Sequence, residues 1–256
     1  MLTAEHVVFG YRPDRPVLKG ITLAFQKDEW TLLIGPNGSG KSTFLRLLDG
    51  FLRPQQGTVR WENRLIQDIP ARTRARYLGY LPQALHSLFP YTVFEIVEMG
   101  CWARCPFPLA PLPRPERKRM ETILHALGLS DLVHRPISEL SGGEQQLTFL
   151  ARLWVQNPAF YLLDEPTQNL DMEHRTLLWR MLFQLKREGR GGIVVTHELH
   201  FPQGLFDRVV AFRDGTILWQ GPPQEVLRPE PLEALYHTPM QVQSTPDWLI
   251  FPLLGP

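Results

Sequence analysis

The stretch Trp30-Thr-Leu-Leu-Ile-Gly-Pro-Asn-Gly-Ser-Gly-Lys-Ser-Thr43 decides how the rest of the chain is read. Residues 30–34 are apolar throughout, as a strand covered on both faces requires. Phe44, Leu45, Leu47 and Leu48 follow at helical spacing, and Gly50 is a natural helix stop. Between strand and helix lies Gly35-x-x-x-x-Gly40-Lys41-Ser42, the pattern of a phosphate-cradling loop. Its glycines let backbone N–H groups turn inward around phosphate oxygens, and the helix start adds its partial positive charge. Lys41 reaches the β and γ phosphates and Ser42 offers a hydroxyl to Mg2+. Only five of the 27 cationic residues are lysines, and one stands here, where the forked head of arginine does not fit the same cradle. A glycine turn that merely caps a helix is the competing reading, and both flanks weigh against it.

Outward from this stretch, residues 4–9, 21–25, 57–61 and 78–81 read as further strands, short and rich in β-branched and aromatic residues. From 84 to 156 the pattern turns helical, with helices expected over 92–102 and 116–127. Between them, residues 105–115 hold five prolines and fit neither regular element. Strands resume at 160–163 and 193–196 around a helix at 173–188, and 209–212 with 216–219 flank Arg213-Asp214-Gly215 as a hairpin. The α/β alternation closing around an inserted helical region predicts an α/β fold: a mostly parallel sheet flanked by helices, with an antiparallel portion. The expected division is a core of 1–83 and 157–220, a helical subdomain of 84–156, and an extension of 221–256 whose many prolines leave only short helices.

A phosphate-binding loop needs a second Mg2+ anchor on a neighbouring strand. Ala159-Phe-Tyr-Leu-Leu-Asp164-Glu165 supplies an apolar strand ending in two acids, with Asp164 placed for Mg2+ and Glu165 for polarising an attacking water. A solvated strand end is the bland alternative. Leu140-Ser141-Gly142-Gly143-Glu144 opens another helix, and Ser141-x-x-Glu144 is a capping box. Two glycines in a first turn are poor helix formers, which points to bare N–H groups approaching an anion closely.

Taken together, Gly35 to Thr43, Leu140 to Glu144, the Asp164-Glu165 strand and Thr196-His197 resemble, in order and spacing, the ATPase subunit of ATP-binding cassette (ABC) transporters. The match runs over roughly residues 2–220. The resemblance implies ATP and Mg2+ as ligands and a head-to-tail homodimer, each ATP lying between one subunit's Gly35, Pro36, Asn37, Gly38, Ser39, Gly40, Lys41, Ser42 and Thr43 and the other's Ser141, Gly142 and Gly143. It further implies that Tyr11 stacks on adenine, that Gln83 contacts Mg2+ and the attacking water, that His197 contacts the γ-phosphate, and that Asp171 couples the two sites. Ser42, Gln83 and Asp164 become the metal set, and Glu165, His197 and Gln83 the catalytic one. Residues 74–83, 91–100 and 221–227 look like the iron-chelate, haem and cobalamin importer branch. Glu144 departs from that branch, which usually has glutamine, and is common among zinc and manganese importers.

Composition sets the outer limits. At 43% hydrophobic and 21% charged, the 256 residues suit a globular domain, and a formal charge of +1 gives no field for nucleic acid. Cys101 and Cys105 cannot form a secreted-type framework and are assigned no role, and residues 1–14 lack a leader pattern, so the chain reads as cytosolic. The longest stretch without charge, 77–94, contains Pro82, Gln83, His86, Ser87 and Pro90 and is no membrane span. The expectation is therefore a peripheral motor on the cytoplasmic side of the cell membrane, partnered with permease subunits and, indirectly, a substrate-binding protein. A soluble ABC ATPase acting on ribosomes or DNA fits less well, with one phosphate-binding loop and no sustained heptads, and Glu165 argues against a binding module without turnover.

Overall fold

Every residue of the segments 30–34, 160–164 and 191–195 is buried, and these three form the centre of the structure. A computed structural model describes residues 1–12, 14–83, 89–105, 112–198, 200–244 and 247–252. The chain opens with β1 (Leu2–Phe9), β2 (Leu18–Phe25), β3 (Trp30–Ile34) and α1 (Lys41–Leu48), then β4 (Gln56–Trp61), β5 (Arg64–Leu65), α2 (Ala71–Tyr77) and β6 (Leu78–Leu81). Three helices follow: α3 (Val93–Met99), α4 (Arg114–Ala126) and α5 (Gly142–Gln156). Next come β7 (Phe160–Asp164), α6 (Met172–Arg187), β8 (Gly191–Val195), β9 (His200–Pro202), β10 (Arg208–Arg213) and β11 (Thr216–Gly221). The chain closes with α7 (Pro223–Val226), α8 (Pro229–Tyr236), β12 (Met240–Ser244) and β13 (Asp247–Pro252).

The main sheet has the order β11-β10-β3-β8-β7-β6, with β11 antiparallel and the other five parallel. Alternate residues of β3 serve opposite faces: Trp30, Leu32 and Ile34 join the core shared with α3, α4, α5 and α6, while Leu33 joins the core around α1. That second core is closed by a separate antiparallel sheet, β2-β1-β4-β5. Phe44 of α1 lies 6.3 Å from Phe25 on that sheet and 5.4 Å from Phe212 on the main one, so α1 is clamped between them. On the other face Trp30 stacks on Tyr161 at 6.1 Å and donates its indole N–H to the Arg190 carbonyl at 2.8 Å. Gly192 makes that stack possible, because a Cβ there would stand 2.6 Å from the Tyr161 carbonyl oxygen and 2.7 Å from the Trp30 ring.

Helix α5 ends where the helical stretch rejoins the sheet, and arginines from three places collect its free carbonyls. Arg119 donates to Trp154 O at 3.0 Å, Arg104 to Val155 O at 2.5 Å and Gln156 O at 3.1 Å, and Arg190 to Asn157 O at 3.4 Å and to Pro158 O. Cations at a helix C-terminus satisfy orphan acceptors and oppose the helix dipole, for about 0.3–1 kcal/mol each. The arginine-rich composition thus has a structural use.

Several expectations need correction. The helix expected at 92–102 is α-helical only to Met99 and tightens into a 3-10 turn over Gly100–Ala103. Helix α2 was not foreseen: none of its residues is buried, so it carries no apolar stripe. The region past 221 is not limited to short helices, since β12, β13 and β9 form a three-stranded sheet. The proline-rich stretch falls outside the described residues over 106–111. The Arg213-Asp214-Gly215 hairpin is present, with Asp214 and Gly215 at φ 50° and 80°. Replacing Gly192 with Ala is expected to lower the unfolding free energy by about 1–3 kcal/mol, through overpacking against the Trp30 ring and the Tyr161 carbonyl. A urea titration of the two proteins measures this.

Candidate functional site

All parallel strands of the main sheet point their C-terminal ends the same way, and the loops leaving β3, β7 and β8 converge there. In the loop after β3, Gly35, Gly38 and Gly40 have φ of 143°, 80° and 103°, left-handed conformations that other residues rarely adopt. A Cβ on Gly35 would lie 2.1 Å from the Phe212 carbonyl oxygen, so the loop also needs glycine for room. Gly40 precedes α1 without a side-chain cap, and the first turn of that helix holds no acid. Its N–H groups and dipole therefore face the loop interior, as an anion site requires. Lys41 is buried, and its ammonium donates to the carbonyls of Gly35 at 2.7 Å and Pro36 at 3.0 Å. Burial pushes its pKa down, with Glu165 and Asp164 acting in the opposite direction.

Ser42 donates to Asp164 Oδ1 at 3.0 Å, while Asp164 Oδ2 is buried with no protein partner among the described residues. Burial pushes the Asp164 carboxyl up to about 6, against the lowering effect of the Ser42 bond and together with the neighbouring charge of Glu165. A hydroxyl and a carboxylate with a spare buried oxygen are a donor set of hard oxygens, which fits Mg2+. The next residue, Glu165, sits at φ 53° and is 5% exposed. Its backbone N–H donates to Val195 O at 2.9 Å, which locks the turn after β7 onto β8. Glu165 Oε2 accepts from the His197 backbone N–H at 3.2 Å and lies 2.9 Å from His197 Nδ1. The arrangement can bind phosphate, hold a divalent cation and orient a water beside a carboxylate, which are the needs of phosphoryl hydrolysis.

The other expected residues fall into two groups. Tyr11 is exposed, packs edge-on against Phe9 at 5.1 Å, and has its hydroxyl 3.4 Å from Thr43 Oγ1. With Arg12, Arg15, Lys19, Gly38 and Asp214 it lines an open cleft of about 560 Å³ beside the loop. Gln83 is exposed two residues beyond β6, at the same end of the sheet. Ser141, Gly142 and Gly143 stand apart: among the described residues no hydrogen bond links 141–143 to 35–43. Ser141 caps α5 in a closed box, its N–H and hydroxyl both bound to Glu144 Oε2, at 2.7 Å and 2.8 Å. Gly143 has an internal reason to be glycine, because a Cβ there would be 2.9 Å from the Asn169 carbonyl oxygen. A Cβ on Gly142 would meet only ordinary contacts at 3.4 Å, so no internal crowding calls for glycine there. Asp171 is the N-cap of α6, accepting from the His174 backbone N–H at 2.9 Å.

Sequence reading missed Gln146, which is 2% exposed and donates to the carbonyls of Pro166 at 3.1 Å and Glu165 at 3.5 Å, tying α5 to the segment behind the carboxylates. Its signal was a glutamine four residues before Leu150 and seven before Leu153, on the buried stripe of its helix.

This fold and site define a P-loop ATPase. Residues 18–168 match the ABC transporter family model, and the chain belongs to that family. The hemin import ATP-binding protein HmuV of Escherichia coli O157:H7 is 34% identical, with 96% of each chain covered. HmuV of Rhodopseudomonas palustris strain HaA2 is 35% identical over 89% of this chain and 87% of its own. An ABC transporter ATP-binding protein of Lactiplantibacillus plantarum is 33% identical over 89% of this chain, which spans 40% of that longer protein. Among solved structures, an inward-facing metal-chelate type ABC transporter gives a TM-score of 0.77 at 26% identity, covering 99% of this chain and 97% of its own. A dimeric cassette in a post-hydrolysis state with ADP and Pi gives 0.76 at 26% identity, covering 87% and 98%.

In nucleotide-free protein held in chelator, the Asp164 carboxyl titrates near 6 in the folded state and near its ordinary value of 3.8 when unfolded. Its burial is harmless below both values and costs stability as pH rises from about 4 to 6, because the unfolded chain ionises first. Asp164→Asn is expected to reduce the loss of stability across that window. Urea titrations at pH 4 and 7 provide the check.

Proposed function

We propose that this chain is the motor subunit of an importer for haem or a related iron chelate, hydrolysing ATP to drive a separate membrane permease. The observation that carries the reading is the set Lys41, Ser42, Asp164, Glu165 and His197 gathered at one sheet end, in a chain related over nearly its full length to hemin import ATPases. Residues 35–43 cradle the phosphates of ATP, Tyr11 stacks on adenine, and Ser42 and Asp164, joined by Gln83, hold Mg2+. That ion, when bound, offsets phosphate charge.

Glu165 accepts a hydrogen bond from the water that attacks the γ-phosphorus, and His197 is held beside Glu165, within reach of the γ-phosphate. Ser141, Gly142 and Gly143 face outward and act on the ATP of a second copy, which is why the working unit is a head-to-tail homodimer. The 1–83 and 157–220 parts form the ATP-binding core, 84–156 a helical subdomain and 221–256 an extension. The permease supplies the pathway and this subunit sits on its cytoplasmic side; no described helix is long and apolar enough to cross a membrane. Glu144 closes the cap of α5 with Ser141.

Glu165→Gln is expected to retain ATP binding, accumulate an ATP-bound dimer and lose turnover by at least about a hundredfold. Steady-state ATPase assays with size-exclusion chromatography decide it, and turnover at the original rate removes Glu165 from the base role. Ser141→Arg is expected to abolish hydrolysis while the isolated subunit binds ATP as before. A variant that no longer binds ATP as a monomer contradicts action in trans.

A further inference from the structure

Arg175 stands in the second turn of α6 and none of the roles above uses it, yet its planar head joins two separate loops. Its Nε donates to Leu170 O at 2.8 Å, and its Nη2 lies 3.0 Å from Glu198 Oε1. Leu170 belongs to the 168–171 loop, which also presents the Asn169 carbonyl to the first turn of α5, where a Gly143 Cβ would sit 2.9 Å away. Glu198 is the residue after His197, and its N–H donates to Thr196 Oγ1 at 2.9 Å. One guanidinium therefore spans from the loop under Ser141–Gly143 to the segment that aims His197 at Glu165.

We infer that Arg175 is a positioning residue that ties the 168–171 loop to His197, so that movement of that loop alters how His197 meets Glu165. The inference rests on the proposed role of His197. Three features give the link its force. Arg175 cannot follow one loop without dragging the other, because both bonds use the same rigid fork. The pair with Glu198 is partly sheltered, at 36% and 22% side-chain exposure, which strengthens it over a fully solvated one. The far side of the His197 segment is also held, since β9 pairs with β13 and sets Phe201 opposite Trp248, both buried. With that side fixed, a displacement at Leu170 is delivered to residues 197–198.

The test compares Arg175→Met, Arg175→Lys, Glu198→Gln and the Arg175→Met/Glu198→Gln double variant of the full chain, in steady-state ATPase kinetics across ATP concentration. Arg175→Met removes both bonds of the fork and is expected to lower kcat about tenfold, and Glu198→Gln, which keeps an acceptor but loses the charge, about threefold. KM for ATP is expected to stay put. The double variant should fall no further than the worse single one, because both remove one connection. Arg175→Lys should recover only part of the rate, since one ammonium cannot replace a fork. Unchanged kcat, a KM rising in step with the fall, or additive losses overturns the inference. If Arg175→Met lowers the melting temperature or breaks up the dimer, Glu198→Gln, which leaves the Leu170 bond in place, decides alone. His197→Ala separates the two levels: normal turnover there defeats the proposed site, whereas an inactive His197→Ala beside fully active Arg175→Met and Glu198→Gln defeats only the link.

Discussion

The parallel register of β3, β8 and β7 is the constraint on which the rest of the structure depends. Leu33 pairs with Val195, Leu163 with Val194 and Asp164 with Val195, and the chemistry lies within a few residues of those pairs. A slip of one residue would turn Asp164 to the opposite face of the sheet and carry Glu165 away from His197. What prevents the slip is burial on both faces, where Trp30, Tyr161 and Gly192 interlock on one side and α1 fills the other. The same burial leaves Asp164 in surroundings hostile to its charge. The site is thus organised against its own stability, with Ser42 and Lys41 giving partial relief.

Helix α5 is the second rigid part, and its two ends are finished differently. At the start, Ser141 and Glu144 close a capping box while Gly143 lets the Asn169 carbonyl approach. At the far end, Arg104, Arg119 and Arg190 take up the last carbonyls, and Gln146 anchors the middle to the backbone behind Glu165. Arg104 alone reaches two carbonyls and Glu116, joining the end of α5 to α4.

Much of this was legible because it is local. The strand before Gly35, the acid pair after Leu163 and the turn at Asp214-Gly215 each carry pattern and punctuation within a dozen residues. What escaped lacks a local signal. Helix α2 buries nothing and so has no stripe, while β12 and β13 gain their meaning from β9, about forty residues earlier in the chain. Nor does the sequence show that Gly143 is needed as glycine because the Asn169 carbonyl lies where its Cβ would stand. The carboxylate of Asp171 caps its own helix, a contact that depends on where α6 begins.

By itself the sequence determined that Gly35 to Thr43 form a phosphate-binding-loop pattern between a strand and a helix, that Asp164 and Glu165 stand at a strand end, and which family the chain resembles. Those features are set by short-range sterics and the period of side-chain burial, which the order of residues states directly. Only the tertiary structure decided that His197 lies against Glu165, that Gln146 and Arg175 bind the loops behind the site, and that the last strands return to cover β9. Each of those contacts joins residues far apart in the chain, and its geometry exists only once the sheet register has been chosen.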